Sequence, residues 1–260
     1  MDLNLRGQSV LITGASRGIG RAIAEVMAEE GCTLHLAARD GDLLASVCTE
    51  LSARYKVEAH AHVHDLSLTE EVEKLGAACI DVDILVNNAG AIPRGPISEI
   101  SGQTWRKAWD LKVFGFIDLT RIVFARMCER GRGSIVNVVG MAGERPDWKY
   151  IAGSAGNAAL NSFTLSLGGE SVRYGVRVNC VNPGPIMSDR FKEGILRRAR
   201  LAFNDESRWP ELLQDLPIKR AGTPKEVADT VAFLASERAS YISGAALRVD
   251  AGLKHRSPDL

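Results

Sequence analysis

The sequence feature with the clearest chemical meaning is a glycine-rich turn between a short apolar run and an amphipathic segment. The turn reads Thr-Gly-Ala-Ser-Arg-Gly-Ile-Gly over residues 13–20, which gives the glycine spacing Gly-x3-Gly-x-Gly. Glycines at such a turn allow the backbone to approach a pyrophosphate, whose negative charge then lies at the N-terminus of the next helix. The turn and its flanking segments therefore predict a dinucleotide-binding site.

The same turn permits a second interpretation. Residues 14–18 read Gly-Ala-Ser-Arg-Gly and fit G-x-S-x-G, the nucleophile elbow of hydrolases. That motif requires an acidic residue and then a histidine later in the chain, and the only late histidine, His255, lies in a polar tail. The elbow is therefore the weaker interpretation, and a hydrolase or lyase that uses the same pocket stays as an alternative function.

Strand-like and helical patterns alternate from one end of the chain to the other. Helices of ten or more residues between short strands indicate β-α-β units, whose strands are parallel and covered by helices on both faces. We predict a three-layer α/β fold with a doubly wound, Rossmann-type parallel sheet of about seven strands, formed by a single domain over residues 1–260. The predicted strands are 9–13, 33–38, 57–64, 83–87, 134–139, 176–181 and 245–249, and the predicted helices are 19–30, 42–54, 69–79, 104–130, 151–174 and 223–236.

The composition excludes several classes of protein. The chain has 260 residues and a mass of 28.1 kDa, with 45% hydrophobic and 25% charged residues, which is typical of a soluble globular protein. Its 32 basic and 32 acidic residues cancel, which disfavours a nucleic-acid partner. No apolar run approaches the ~20 residues of a membrane-spanning helix, and the five cysteines form no CxxC pair. We therefore expect a cytoplasmic protein with reduced cysteines and without a membrane partner.

Further motifs make residues 5–253 resemble a known family. They are Asn87-Asn88-Ala89-Gly90, Asn182-Pro183-Gly184, Arg220-x-Gly222-x-Pro224, Tyr241-Ile242-Ser243-Gly244 and Val249-Asp250-Ala251-Gly252, together with Asp65 and Ser134-Ile135-Val136-Asn137. With the glycine turn, these motifs resemble the short-chain dehydrogenase/reductase family. The resemblance implies an oxidoreductase that acts on a small carbonyl or alcohol with a nicotinamide cofactor. It also implies a homo-oligomer, a dimer or a tetramer, built through helices 104–130 and 151–174, and a lid of two short helices over residues 186–217.

The end of the second predicted strand decides between NAD and NADP. An acid there would hydrogen-bond the 2′-hydroxyl of the adenosine ribose, whereas an arginine would bind a 2′-phosphate. The resemblance puts Ala38 at the acidic position and Arg39 at the basic position, and Arg17 adds a second cation. We therefore predict NADP(H), although Asp40 could pair with Arg39.

The resemblance also assigns the other contacts of the cofactor. Residues of the glycine turn would hold the pyrophosphate, residues after the third and fourth strands would border the adenosine, and residues after the sixth strand would border the nicotinamide. The predicted cofactor-binding residues are Gly14, Ser16, Arg17, Gly18, Ile19, Gly20, Arg39, Asp65, Leu66, Asn88, Ala89, Gly90, Pro183, Gly184, Ile186 and Ser188.

The residues expected for proton transfer are missing. Members of the family commonly use a serine, a tyrosine and a lysine with a helping asparagine, and the tyrosine gives or takes the proton. By the resemblance, the first three positions hold Gly140, Gly153 and Asn157, and Lys112 replaces the asparagine. No catalytic role carries over to these four positions from the family.

Tyr150 is the candidate for the missing proton donor, because it lies three residues, about one helical turn, before Gly153. Lys112, or else Lys149, would supply the cation that a phenol needs to act at neutral pH. Water is an alternative donor, in which case Tyr150 packs on Trp148 and Lys112 forms a surface or interface ion pair. If nothing donates, the alternative function is an NADP(H)-binding regulatory or scaffolding protein without turnover.

Three histidines, His60, His62 and His64, alternate along the third predicted strand. Alternate residues of a strand project from one face, and three imidazoles could bind zinc or nickel. Because neighbouring side chains of one strand rarely converge on an ion, we predict no metal site.

Overall fold

The computed structural model describes residues 2–256, which form one seven-stranded parallel sheet in the order β3-β2-β1-β4-β5-β6-β7. The chain order reverses between β1 and β4, and ligands of such sheets bind in the crevice at the carboxyl ends of the strands beside the reversal. The predicted doubly wound α/β fold is confirmed. The strands are β1 Ser9–Thr13, β2 Thr33–Ala38, β3 Ala59–Val63, β4 Ile84–Asn87, β5 Gly133–Val138, β6 Val176–Pro183 and β7 Ala246–Val249. The helices are α1 Gly18–Glu29, α2 Gly41–Tyr55, α3 Thr69–Ala78, α4 Gly102–Trp109, α5 Gly115–Arg130, α6 Ile151–Ser171, α7 Asp189–Phe203 and α8 Pro224–Ala235.

Successive residues of a strand point to opposite faces of the sheet, and in these strands both sets of residues are apolar. Helices therefore cover both faces. Along β1, Val10 and Ile12 lie in one buried cluster with α1, α2 and α8. Leu11 lies in a second cluster, on the opposite face, with α3 and α5. Leu160 of α6 extends that face by packing with Phe116 of α5. Within residues 2–256, no helix is both long and apolar enough to cross a membrane.

The predicted helix 104–130 is divided in the structure. α4 ends at Trp109, Asp110–Phe114 forms a π-helical turn, and α5 begins at Gly115. Gly115 lies so close to the loop between β3 and α3 that a Cβ atom there would be 3.0 Å from the Leu66 carbonyl oxygen. Such widened turns often lie at functional sites, and this one carries Lys112.

Residues 186–217, predicted as a lid of two short helices, contain one long helix and one tighter segment. α7 has 15 residues and begins with Ser188 as its N-cap, and a 3-10 segment follows at Glu206–Leu213. Pro210 lies within the 3-10 segment and has no N–H to donate, which disfavours a continued α-helix there. Arg190 of α7 donates to the Ile92 carbonyl, so the start of α7 is bound to the loop that follows β4.

Candidate functional site

The glycine turn is shaped by close contacts that exclude side chains. Gly14 and Gly18 have positive φ angles of 68° and 58°, a region that favours glycine. A Cβ atom on Gly20 would lie 2.2 Å from the Gly14 carbonyl oxygen and 2.5 Å from Asn88 Nδ2. α1 begins at this turn with no side-chain cap and no acidic residue in its first turn. Its first N–H groups and the positive end of its dipole are therefore available to an anion.

Asn88 and Ala89 are bound directly to this turn through Thr13. Thr13 Oγ1 accepts hydrogen bonds from the main-chain N–H groups of Asn88 (2.9 Å) and Ala89 (3.0 Å). Asn88 Nδ2 in turn donates to the Thr13 carbonyl at 3.0 Å. These bonds join the ends of β1 and β4 and so fix the crevice at the reversal of chain order. Sequence reasoning missed this role of Thr13, because a threonine at the end of a strand carries no distinguishing pattern.

The residues predicted beside the nicotinamide follow β6 on the other side of the crevice. Pro183 ends β6, and the Gly184 N–H donates to the Val249 carbonyl at 3.0 Å. Ser188 reaches the glycine turn, because a Cβ atom on Gly18 would lie 3.7 Å from Ser188 Cβ. Ile186 packs its side chain into the core cluster of α1 and α8. The two halves of the predicted cofactor site thus meet at the turn.

Both arginines predicted to bind a 2′-phosphate are paired with carboxylates. Asp40, which follows β2, pairs with Arg17, and Asp65, which follows β3, pairs with Arg39. Arg17 Nη2 lies 3.1 Å from Asp40 Oδ2, and Arg39 Nη1 lies 3.9 Å from Asp65 Oδ2. Arg39 therefore pairs with Asp65, and the pairing with Asp40 that the sequence allowed is made by Arg17 instead. The two arginine side chains are 64% and 57% exposed, so these pairs are weak and can open toward a ligand.

A cavity of about 320 Å³ adjoins Arg39 and is also lined by Ser67 and Lys107. Burial raises the pKa of the neighbouring Asp65, but hydrogen bonds from Ser67 and the charges of Arg39 and Lys107 bring it below its usual value. Asp65 is therefore ionised and attracts these cations, with buried Leu66 beside it. Lys107 of α4 was missed by sequence reasoning, since it lies outside every motif.

Tyr150 fills the space beside Gly153. A Cβ atom on Gly153 would lie 2.1 Å from both Cε1 and Cζ of the Tyr150 ring. The ring therefore occupies the volume into which a side chain at position 153 would project. Tyr150 is the residue just before α6 and packs with Ile92 and Ala152. That cluster does not include Trp148, which is 61% exposed.

Two arginines face Tyr150. Arg94 Cζ lies 5.2 Å from the centroid of the ring, and Arg190 reaches the same region from α7. Burial raises the pKa of Tyr150, and the charges of Arg190 and Arg94 partly offset that rise. Neither arginine was predicted, because both are distant from Tyr150 along the chain. Lys149, the alternative cation, is exposed.

Lys112 is buried between the segments that follow β4 and β5, where it contacts Gly90 and Val139. It is 9% exposed, and its Nζ donates to the Val139 carbonyl at 2.6 Å. Its Cδ lies close to Gly90, because a Cβ atom on that glycine would be 3.0 Å away. Burial lowers the pKa of Lys112 to about 8, with a further contribution from Arg190. The alternative of a surface or interface ion pair for Lys112 is wrong, since the side chain is inside the protein.

Gly140 and Asn157 lie against each other at the end of β5. Gly140 has a φ of 134°, and a Cβ atom there would lie 2.8 Å from Asn157 Nδ2. Asn157 is 2% exposed, and its Oδ1 has no hydrogen-bond partner in residues 2–256. A buried amide oxygen is costly to leave unpaired. This end of the site therefore offers an acceptor to a polar ligand or to water.

Enzymes that bind dinucleotides on a doubly wound sheet have their phosphate turn at the reversal of chain order, which is where this chain has its glycine turn. Residues 14–254 match the family described as "Enoyl-(Acyl carrier protein) reductase". A relative, the 3-oxoacyl-[acyl-carrier-protein] reductase FabG of Aquifex aeolicus, is 33% identical over 257 residues, 97% of this chain and 100% of that protein. The chain therefore belongs to the short-chain dehydrogenase/reductase family and is an oxidoreductase of that family.

Solved structures agree with this assignment over almost the whole chain. L-Sorbose reductase from Gluconobacter frateurii, complexed with NADPH and L-sorbose, is 32% identical with a TM-score of 0.93, covering 99% of this chain and 100% of that one. A 7α-hydroxysteroid dehydrogenase complexed with NADH and 7-oxo glycochenodeoxycholic acid is 30% identical with a TM-score of 0.86, covering 96% of each chain.

Proposed function

We propose that this protein is an NADP(H)-dependent oxidoreductase that interconverts a small carbonyl compound and its alcohol, with its proton donor in a non-standard position. The observation that carries the proposal is the Tyr150 ring, which fills the volume beside Gly153. A phenol is thereby available in the part of the site where the family resemblance puts a tyrosine. The reaction class is that of the relatives, several of which are named as reductases.

The residues present fit NADP(H). The turn from Gly14 to Gly20 leaves main-chain N–H groups open to a pyrophosphate, and residues 88–90 and 183–188 border the same crevice. Arg17 and Arg39 supply positive charge for a 2′-phosphate, and Ala38 offers no acid to a 2′-hydroxyl. Because one relative was solved with NADPH and another with NADH, the fold accepts both, and the choice depends on the end of β2. When bound, the cofactor would supply the hydride.

Reduction of a carbonyl also requires a proton for the forming alkoxide. We assign the donation to the Tyr150 hydroxyl, whose conjugate phenolate is stabilised by the positive charges of Arg190 and Arg94. Lys112 carries a pKa of about 8, so near neutral pH it can both hold a charge in the site and exchange its proton. In the direction of alcohol oxidation, the same groups accept the proton.

We propose that the chain departs from the family pattern at all four positions together. Gly140, Gly153 and Asn157 would stand where the family has serine, tyrosine and lysine, and Lys112 would stand at the asparagine position. The contacts support a coordinated change, because Asn157 packs against Gly140 and the ring of Tyr150 packs against Gly153. The site is then a rearranged one and not an ordinary site with single residues removed.

We also propose a homo-oligomer, a dimer or a tetramer, that uses the outer faces of α5 and α6. Three large apolar side chains are exposed on or beside these helices: Phe114 (50%) just before α5, Leu165 (45%) in α6 and Val172 (51%) just after α6. Burying these side chains between copies of the chain would remove apolar surface from water, which is favourable. Sedimentation velocity at micromolar concentration measures the mass, and a single-chain mass would contradict the proposal.

Tyr150→Phe tests the assigned proton donor. A substrate is first found by following NADPH oxidation over a panel of small ketones and aldehydes. Because a positioned acid contributes about 10²–10⁴ in rate, kcat should fall at least tenfold in the variant. Affinity for NADPH, measured by fluorescence titration, should stay the same because Tyr150 is not among the residues predicted to hold the cofactor.

Tyr174→Phe is the matched control, since Tyr174 is 54% exposed and stands edge-on to Phe124 away from the crevice. Its kcat should equal that of the unaltered protein. If Tyr150→Phe keeps full kcat, water or the substrate itself is the proton source. If NADPH binds but no carbonyl is reduced by the unaltered protein, the regulatory or scaffolding alternative replaces the proposal.

A further inference from the structure

Two imidazoles and a thiol meet at the edge of the sheet, away from the glycine turn. His35 of β2, His62 of β3 and Cys79, the C-cap of α3, have ligand atoms that all lie within 4.8 Å of one another. His35 Nδ1 is 3.0 Å from His62 Nε2, and Cys79 Sγ is 3.5 Å from the same nitrogen. The three residues come from three different elements and share one face of the sheet.

The alternating histidines of β3 do not converge by themselves, as the sequence predicted. His60 stacks on His35 and points its Nε2 toward Glu58 at 3.6 Å. His64 Nδ1 lies 2.7 Å from Glu71 of α3. His62 alone takes its partners from the neighbouring strand and from α3. Sequence periodicity could not reveal that set, because it joins residues that are distant along the chain.

We propose that His35, His62 and Cys79 bind one zinc ion, with water as the fourth ligand. Zinc prefers imidazole nitrogen and thiolate sulfur in a tetrahedron, at about 2.0–2.1 Å and 2.3 Å. These bond lengths require ligand atoms about 3.3–3.6 Å apart. The 3.5 Å between Cys79 Sγ and His62 Nε2 already fits, and the two ring nitrogens, at 3.0 Å, would have to separate by roughly 0.3 Å. His62 Nε2 carries either one proton or one lone pair, so it serves one of its two contacts at a time. A central ion would satisfy all three groups together.

Of the three groups, the two imidazoles are already in the protonation state that ligates a cation, whereas the thiol must first lose its proton. Burial, and then the neighbouring histidines, lower the pKa of His62 to about 4, and burial also lowers the pKa of His35. Both rings are therefore neutral at pH 7 and able to ligate. Burial raises the pKa of Cys79 to about 12, so the thiol is protonated until an ion binds. A coordinated thiol is deprotonated, so binding of one ion releases one proton to solvent.

The ion would cross-link three elements, of which only β2 and β3 are already joined by the main-chain hydrogen bonds of the sheet. β3 is the edge strand of the sheet and pairs with β2 alone. A bond from His62 to the same ion as His35 and Cys79 would fasten that edge to β2 and to α3. The proposal does not depend on the proposed oxidoreductase reaction, because none of the three residues belongs to the crevice.

Cobalt(II) is the probe for the site, since it takes the place of zinc and absorbs light. The full chain is freed of metal with a chelator, reduced, and titrated with Co²⁺ near pH 7.5. The expected result is one equivalent bound, a near-ultraviolet thiolate-to-cobalt band, and loss of that band when Zn²⁺ is added. One proton should appear per ion in weakly buffered solution.

Variants assign the signal to the three residues. Cys79→Ser should abolish the thiolate band, and His62→Gln or His35→Gln should weaken binding at least tenfold, because even indirect partners of a metal are worth about 10–100-fold. Cys128→Ser and His64→Gln are the matched controls and should bind as the unaltered protein does. Absence of the band in the unaltered protein, or its persistence in Cys79→Ser, would overturn the proposal. Because the first of these results is obtained with the unaltered protein, it does not depend on whether any variant folds.

Discussion

The ring of Tyr150 fills the volume that a side chain at position 153 would otherwise occupy, because Gly153 has none. Their three-residue spacing indicated from the sequence that the two would be neighbours, and the ring does lie against Gly153. The role of Tyr150 as proton donor stays a prediction. The charges around it could not be predicted, because Arg94 and Arg190 arrive from distant segments and belong to no motif. Burial of Lys112 could not be predicted either, because no sequence pattern marks the π-helical turn that carries it.

Lys112→Met tests the electrostatic state of that buried amine. The pKa of Lys112 in the folded chain, about 8, lies below its ordinary value of 10.5, so between these values the unfolded chain binds a proton that the folded chain lacks. The free energy of unfolding of the unaltered protein should therefore rise relative to the variant as pH increases from 8 to 10.5. Below pH 8 the difference between the two proteins should be constant.

Urea denaturation of both proteins at several pH values across this range measures that difference. Lys254→Met provides a comparison, because Lys254 is an ion-paired lysine near the end of the described chain, bonded to Glu144. A difference between the Lys112 variant and the unaltered protein that stays flat from pH 7 to 10.5 would show that the amine has an ordinary pKa.

Among the elements, β1 and β2 begin and end where the sequence predicted, because a buried parallel strand is a short apolar run closed by turn residues. The division of helix 104–130 was not predicted, since apolar periodicity continues through a widened turn. The lid segment was predicted as two short helices, and α7 is longer because its polar and apolar residues keep helical spacing up to Phe203. The hydrophobic periodicity of the sequence thus predicted the types of the elements more reliably than it predicted where a helix is interrupted.

Gly20→Ala tests the element that joins the turn to α1. Its added methyl would lie 2.2 Å from a main-chain oxygen, and the turn must shift to admit it. Overpacking of this kind costs about 1–3 kcal/mol, so thermal unfolding should occur at a lower temperature. NADPH affinity should fall at least tenfold, because the shifted turn can no longer cradle a pyrophosphate.

Gly169→Ala is the control for this change. Gly169 lies within α6, and a Cβ atom there would meet no atom within 4 Å. Alanine is better than glycine inside a helix by up to about 1 kcal/mol, so this variant should be as stable as the unaltered protein or more so. Equal melting temperatures and equal NADPH affinities for Gly20→Ala and the unaltered protein would contradict the close-packed turn.

For the whole molecule, the alternation of strands and helices was enough to predict the sheet and the position of its crevice. Parallel strands joined by helices follow a fixed handedness and leave few possible arrangements. The strand order β3-β2-β1-β4-β5-β6-β7 then brings the ends of β1 and β4 together. The pairing of Arg39 with Asp65 could not be predicted, because it depends on which side chains of adjacent loops meet.

A preference for NADPH over NADH should appear as a difference in how far each cofactor raises the melting temperature of the protein. A ligand at 100 times its dissociation constant stabilises the folded state by about 2.7 kcal/mol, which is roughly 5–10 °C for a chain of this size. At equal concentration, NADPH should raise the melting temperature more than NADH. Ala38→Asp should reverse the order, because its carboxylate repels a 2′-phosphate and binds a 2′-hydroxyl.

The same charge placed elsewhere controls for net charge. Ala53→Asp lies on the exposed surface of α2 and should leave the order of the two cofactors unchanged. An equal or larger shift with NADH in the unaltered protein would refute the assignment of Arg39 and Arg17.

The contact between the Tyr150 ring and Gly153 also determines which variants can be reached one substitution at a time. A tyrosine at position 153 cannot enter while the ring at 150 remains, since its Cβ would overlap the ring at 2.1 Å. A serine at position 140 meets Asn157 at 2.8 Å and must adopt a φ of 134°. Effects of substitutions in contact are not additive. An engineer who wishes to install a serine, a tyrosine and a lysine at positions 140, 153 and 157 must therefore exchange these residues together with their neighbours, because each single step passes through a blocked or phenol-free site.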